Sequence, residues 1–230
     1  MKLIVDLASI VGRFMHLDDQ EYGSDFIDGD NKKWHIPSVE TCLERVETSF
    51  QKVLDQYKIA PADIIAVCEP ESPGAQRKRM FPEYKAKREK RPKQFYDVSN
   101  ELIIQVKEMT MSSGGICATP RVVPSVEGDD LVAALAEKLP DSMVWTSDKD
   151  MLSTKAARVL LWDDLDPLPF PVPREFIHLY RAIVTGDASD NVPGCKGFGE
   201  KAWEKMVDLI GPDGVAELDK MVQEKRLHEL

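Results

Sequence analysis

An α/β fold, with a mostly parallel sheet flanked by helices and a separate helical subdomain after it, is what this sequence predicts. Three observations carry that expectation. Short apolar, β-branched runs alternate with segments of helical periodicity, as strand–helix–strand units do. A proline-dense stretch, DLDPLPFPVPR from Asp164 to Arg174, ends the alternation. Beyond it the chain reads as all-helical, punctuated at Pro193, Gly194, Gly197, Gly199 and Gly211. The expected division is therefore residues 1–172 and residues 173–230.

The elements follow in order. Leu3 to Leu7 reads as a buried strand; Asp6 interrupts the apolar run and no small-residue cleavage site follows, so it is not read as a signal peptide. The acidic stretch from Asp18 to Asp30 reads as a solvated loop or turn. From Val39 to Tyr57, the residues Val39, Leu43, Val46, Phe50, Val53, Leu54 and Tyr57 fall on one 3.6-residue stripe and predict an amphipathic helix. Leu102 to Met109 and Leu131 to Leu139 have the same character. Ile64 to Cys68, Met143 to Thr146 and Val159 to Trp162 read as further short strands. No internal repeat or low-complexity segment is visible.

Composition narrows the function classes. The chain has 230 residues, 43% hydrophobic and 30% charged, which excludes wholesale disorder. No run of eighteen apolar residues exists, so no membrane partner is expected. Cys42, Cys68, Cys117 and Cys195 are widely spaced and form no CxxC pair, which argues against a zinc site or a disulfide framework and makes a reduced, cytosolic compartment the default. Between Gln76 and Lys93, nine Lys and Arg stand against two Glu, a surplus of +7. With a total of −10, the remainder carries −17. One segment seeks anions while the rest gathers carboxylates.

Those carboxylates concentrate at the ends of elements. Asp6 lies within or at the end of the first strand, where an ionised side chain is expensive to bury. Glu127, Asp129 and Asp130 precede a helix; acids there complement the helix dipole, yet three in four residues repel unless a cation or several donors compensate. Asp148 and Asp150 follow the strand MVWT and would project to one side if the chain stays extended. Asp187 and Asp190 lie in GDASDN, where an Asx-rich turn is the simpler reading. Each cluster has an ordinary explanation alone. Together they form an oxygen-only donor set suited to hard cations such as Mg²⁺ or Mn²⁺. Two such ions about 4 Å apart are the usual clamp for in-line attack on a phosphodiester.

The basic run from Arg77 to Lys93 could be a solvated charged helix, but it interleaves Phe81 and Tyr84 and is followed by Phe95 and Tyr96, aromatics able to stack on bases. Salt-dependent binding to a phosphate backbone is the expectation. Glycines at 194, 197 and 199 precede a helix and can leave amide groups free for an anion, although the order of a Walker A loop is absent.

In order along the chain, Asp6 in LIVDL, Arg77 with FPEYKAKR, the acids of EGDD, SDKDM, and GDASDNVPGCKGFGEKA from Gly186 to Ala202 resemble the 5′→3′ exonuclease and flap endonuclease family. That family includes the 5′-nuclease domain of bacterial DNA polymerase I and stand-alone phage enzymes. The resemblance implies a PIN-like nuclease core over 1–172, a basic arch or clamp at about 70–98, and a helix–three-turn–helix DNA-binding subdomain over 173–230. It implies two ions, Mg²⁺ or Mn²⁺: Glu127, Asp129, Asp130 and Asp148 around the first, Asp150, Asp187 and Asp190 around the second, with Asp6 acting mainly through bound water. Lys85 and Arg88 would contact the scissile phosphate, with Asp148 and Asp150 completing the catalytic set. Arg77, Arg79, Tyr84 and Lys87 would contact DNA, with Tyr84 stacking near the cleaved nucleotide. Gly194, Lys196, Gly197, Gly199 and Lys201 would bind duplex backbone, with K⁺ on the turn's carbonyls. Glu69 stands where the family commonly has Asp; it can still reach a metal or its water.

The implied protein is a monomeric, stand-alone nuclease in the cytoplasm of a bacterial or phage-infected cell, acting on DNA with 5′ ends, flaps or nicks. A PIN-type ribonuclease would share the acidic core but not the basic segment or glycine turn. A structure-specific DNA-binding protein with a weak site is the non-enzymatic alternative, which chelation by EDTA would separate from an enzyme.

Overall fold

The computed structural model describes residues 1–16, 23–70, 73–120, 126–154, 156, 158–161, 174–188 and 190–208. Two compact units divide the chain. The first comprises Met1–Gln76, Glu89–Met151 and Lys155–Pro167; the second gathers Arg77–Arg88, Leu152–Thr154 and Leu168–Leu230.

The first unit is built on five parallel strands: β1 (Leu3–Asp6), β4 (Ile64–Val67), β5 (Ile116–Ala118), β6 (Met143–Thr146) and β7 (Arg158–Leu161). Their spatial order is β5-β4-β1-β6-β7. From β1 the chain works outward through β4 to β5, then returns to the other side of β1 for β6 and β7. The topological switch therefore lies between β1 and β6, and open parallel sheets bind ligands at the carboxyl ends of the strands beside such a switch. Every residue of β1 and β6 is buried, which is why these strands read as apolar runs without alternation up to their last residues, Asp6 and Thr146.

Side chains still alternate between the two faces. Leu3, Val5, Met143 and Trp145 join the main core with Leu7 and Ile10 of α1 (Leu7–Phe14), Val46 and Phe50 of α2 (Val39–Tyr57), and Leu102 and Val106 of α4 (Lys93–Ser112). Phe50 meets the Trp145 ring edge-on at 4.9 Å. Ile4 and Val144 are fully buried but lie outside that cluster, as do Val132 and Ala136 of α5 (Gly128–Lys138), which packs against β1, β4 and β6. Asp6 and Thr146 come two residues after Ile4 and Val144, so they share this second face.

Several expectations need correction. Part of the acidic stretch read as a loop is strand β2 (Gly23–Ile27), paired antiparallel with β3 (Lys33–Pro37). Asp28 organises the connection by accepting the amides of Asp30 and Lys32 and the indole N–H of Trp34; its acidity is turn chemistry, which hydropathy does not reveal. The edge strand β5 has three residues and follows Gly114 and Gly115, too short to give a periodic signal. Helix α4 begins at Lys93 because Phe95 docks in the core, so Phe95 is no platform for bases.

In the second unit, the part of α3 (Ala75–Met80) from Arg77 on leads into the turns at 82–87, and α6 (Arg174–Thr185) leads into two-residue strands β8 (Gly186–Asp187) and β9 (Val192–Pro193). This unit is thus not purely helical. A Cβ on Gly186 would lie 2.3 Å from the Gly194 amide nitrogen, and one on Gly194 would lie 2.3 Å from the Thr185 carbonyl carbon. Backbone meets backbone here, so both positions require glycine. A further helix starts at residue 200, tied to α6 by two Arg181–Glu200 hydrogen bonds of 3.0 and 3.1 Å. The proline-dense stretch before Arg174, Trp162, Ser189, and residues 209–230 with Gly211 lie outside the described residues. Among the described residues, no helix is long and apolar enough to cross a membrane.

Replacing the almost fully buried Phe50 with Ala removes the partner of Trp145 and leaves a cavity. Urea denaturation should show a loss of about 3–5 kcal/mol; a loss below about 1 kcal/mol would mean this contact is not part of the core.

Candidate active site

The site grows from the end of the central strand. Asp6 is the last residue of β1 and the N-cap of α1, so its carboxylate sits where the chain turns from sheet to helix. Oδ1 accepts the Ser9 amide at 3.2 Å and Oδ2 accepts the Thr146 hydroxyl at 2.9 Å. Thr146 occupies the end of the neighbouring strand β6, across the topological switch, and its Oγ1 also accepts the Asp148 amide at 2.9 Å. The Ser147 amide donates to Ser9 Oγ at 2.8 Å. These side chains lock the ends of β1 and β6 together with the carboxylate between them.

Asp6 is only 6% exposed. Burial, which penalises its charge, lifts its pKa from the ordinary carboxylate range to about 6, against the opposing hydrogen bonds from Thr146 and Ser9. The negative charges of Asp148 and Asp129 push it further in the same direction. Three acids from well-separated parts of the sequence therefore feel one another at the carboxyl end of the sheet.

Asp129 belongs to the first turn of α5. There Asp130 Oδ2 accepts the Glu127 amide at 3.1 Å, and Asp129 Oδ1 accepts the Asp130 amide at 2.7 Å. Glu127 is buried, at 4% exposure. Glu69, beyond the end of β4, accepts the Gly128 amide at 2.8 Å through Oε2. A Cβ on Gly128 would lie 3.3 Å from that carboxyl group, so a glycine at the second position of EGDD leaves room for the longer acid. Glu69 thus reaches the same helix start as Glu127, Asp129 and Asp130.

Asp148 is half-buried, whereas Asp150 is exposed. Asp148 Oδ1 accepts the Asp150 amide at 2.9 Å and the chain turns into a 3-10 turn from Lys149. The expected extended geometry, with both side chains on one side, is not found, because the Asp148 carboxylate itself bends the chain.

Within the second unit, Asp187 Oδ1 accepts the Asp190 amide at 3.3 Å. Asp190 Oδ1 is buried and accepts no hydrogen bond, while Lys85 Nζ lies 4.0 Å away and Arg88 Nη2 3.5 Å away. Tyr84 is 6% exposed: its hydroxyl accepts Arg77 Nη1 at 3.1 Å and its ring carries Lys85 Nζ at 4.7 Å from the centroid. It is a prop for two cations here, not an open stacking surface. Arg79 and Lys87 are exposed, as are Gly194, Lys196, Gly197, Gly199 and Lys201. Gly197 adopts φ +82, which glycine tolerates without strain.

Among the described residues, no three His, Cys, Asp or Glu side chains form a ready-made metal cage. Asp129, Asp130 and Asp148 each accept a neighbouring backbone amide. The acids of the first unit nonetheless suit hard divalent cations: all their donors are oxygens, and one is a buried carboxylate with a raised pKa. Sequence reasoning missed Thr146, Ser9 and Ser147, because hydroxyls at the end of a strand or in the first turn of a helix carry no distinctive pattern.

The chain matches the family model described as the 5′-3′ exonuclease N-terminal resolvase-like domain over residues 38–178. It is 34% identical to thermostable DNA polymerase I of Thermus aquaticus over 102 residues, covering 39% of this chain and 12% of that polymerase. It is 31% identical to a 5′-3′ exonuclease of Aquifex aeolicus over 149 residues, covering 59% of this chain and 48% of that protein. The curated relatives it matches are thus longer, and the chain spans half or less of these two. Bacteriophage T5 5′-exonuclease with bound zinc superposes with a TM-score of 0.62 at 17% identity, over 92% of this chain and 76% of that one. The T5 flap endonuclease in a complex with DNA and metal ions gives 0.59 at 16% identity, over 91% and 75%. These likenesses show the fold.

The Asp6 pKa of about 6 exceeds its unfolded value, so the folded protein holds that proton more tightly between about pH 4 and 6. Stability falls as pH rises through that window and stays lower above it. In EDTA, Asp6→Asn should therefore be more stable than the parent above pH 6 by about 1–3 kcal/mol, and similar near pH 4. Urea denaturation at both pH values checks this; equal stability at pH 7.5 would show that Asp6 ionises without cost.

Proposed function

Since the chain belongs to the 5′-3′ exonuclease family defined by the N-terminal resolvase-like domain, we propose that it hydrolyses DNA phosphodiester bonds from or near a 5′ end. We extend the proposal to 5′-flap endonuclease activity with two divalent ions, Mg²⁺ or Mn²⁺. The observation that carries it is the buried Asp6 carboxylate at the switch point, bonded to Thr146 and Ser9 and repelled by the charges of Asp148 and Asp129.

Glu127, Asp129, Asp130 and Asp148 would hold one ion, with Glu69 beside them. Asp150, Asp187 and Asp190 would hold the other, and Asp6 would orient water. Bound there, the cations would activate water and neutralise charge on the phosphate. Lys85 and Arg88 bring donors to the oxygens on which negative charge develops, and Tyr84 keeps the Lys85 ammonium from wandering. Arg77, Arg79, Lys87 and the remaining basic residues of the segment draw in the DNA backbone. The Gly194–Gly199 turn, with Lys196 and Lys201, would contact duplex phosphates and could hold K⁺. The protein acts as a monomer on flapped, nicked or 5′-ended DNA.

Product sizing on 5′-labelled flap, nicked and blunt DNA, beside RNA of the same sequence, tests the reading with Mg²⁺ and with EDTA. Mg²⁺-dependent cuts in DNA are expected, and products from RNA alone would overturn it. Asp148→Asn should abolish cleavage while the melting curve stays cooperative; near-normal cleavage would remove Asp148 from the metal site. Lys85→Ala should lower kcat about 10²-fold with a smaller change in DNA affinity. An equal loss in both would make Lys85 a binding residue only.

A further inference from the structure

Asn191 supplies no oxygen to the metal sets above, yet it makes a contact that those roles leave unexplained. Its side-chain Nδ2 donates to the Glu83 carbonyl at 3.1 Å. That carbonyl also accepts the Ala86 amide at 3.0 Å, so both of its lone pairs are in use. Two residues on, the Lys85 amide donates to the Asp190 carbonyl at 3.2 Å. The Asp190–Asn191 dipeptide therefore holds the turn carrying Lys85 and Arg88 by its backbone, while the Asp190 carboxylate faces their charged ends.

Both partners adopt the left-handed conformation at this junction, Lys85 at φ 55 and Asn191 at φ 62. Lysine gains nothing from that conformation locally, so the surrounding contacts must hold it. Asparagine is among the few residues that tolerate it and also carry a donor. We infer that Asn191 is a positioning residue, fixing the 83–88 turn so that Lys85 and Arg88 meet the scissile phosphate in register. The inference rests on the proposed nuclease reading. A flexible lysine on an unanchored turn would lose alignment, and displacement by about 1 Å can cost on the order of 10²-fold in rate.

Two substitutions separate the amide from the backbone. Asn191→Gly keeps the left-handed conformation without strain and removes the donor. Asn191→Asp keeps the size and the tolerance but presents an acceptor to the Glu83 carbonyl. Each should lower the single-turnover rate about tenfold or more in Mg²⁺, with DNA affinity within about twofold and an unchanged melting temperature. The decisive readout is a double-mutant cycle. In the Lys85→Ala/Arg88→Ala background, Asn191→Gly should slow cleavage no further, because nothing remains to be positioned. A tenfold loss in both backgrounds, or no loss in either, overturns the inference while leaving the nuclease reading intact. A parent protein that cuts no DNA sinks both.

Discussion

Everything at the site depends on an acid placed where the fold least favours one. β1 is the central strand of a parallel sheet whose interior positions are closed to water, and it ends in Asp6. Its charge is disfavoured by burial first and by neighbouring acids second. An apolar residue there would bring no charge to bury, but it could not cap α1 or accept the Thr146 hydroxyl. Strand ends joined through hydroxyls hold the carboxylate in place. The cost of an ionised group is thereby tolerated at the crevice where parallel sheets receive ligands, and a divalent cation would remove it.

The helix start at Gly128 shows how the acids proposed as metal ligands also serve the local structure. Acids in the first turn of α5 satisfy amide groups that every helix leaves open. Glu69 takes one of them from the end of another strand, and the absent side chain of Gly128 admits it. The second unit does the equivalent with opposite charges: Asp190 draws Lys85 and Arg88, and Tyr84 supports Lys85 from beneath. Each unit draws charged side chains together from segments far apart in the chain.

Much of this was legible in the sequence, for identifiable reasons. The α2 stripe from Val39 to Tyr57 coincides with the helix observed, since seven apolar positions on a 3.6-residue period allow one reading. β6 was equally plain, because a strand buried on both faces is apolar throughout. The β2–β3 hairpin was hidden, its strand residues largely exposed and its turn made by Asp28. β5 was too short to register. At the site, carboxylates at element ends could be found by type and spacing, and the family resemblance ordered them. The bend after Asp148 could not, because it depends on a side chain accepting an amide two residues later. The hydroxyl links of Ser9, Thr146 and Ser147 exist only once β1 and β6 are neighbours, and the burial of Tyr84 is equally a tertiary fact.

Calorimetric titration of the metal-free protein with Mn²⁺ at pH 6, repeated in buffers of different ionisation enthalpy, tests the central claim most directly. A carboxylic acid with a pKa of about 6 is half protonated there. Saturable binding should therefore release about half a proton from Asp6, and Asp6→Asn should abolish that release. Saturable binding without proton release, or the same release from Asp6→Asn, would contradict the account.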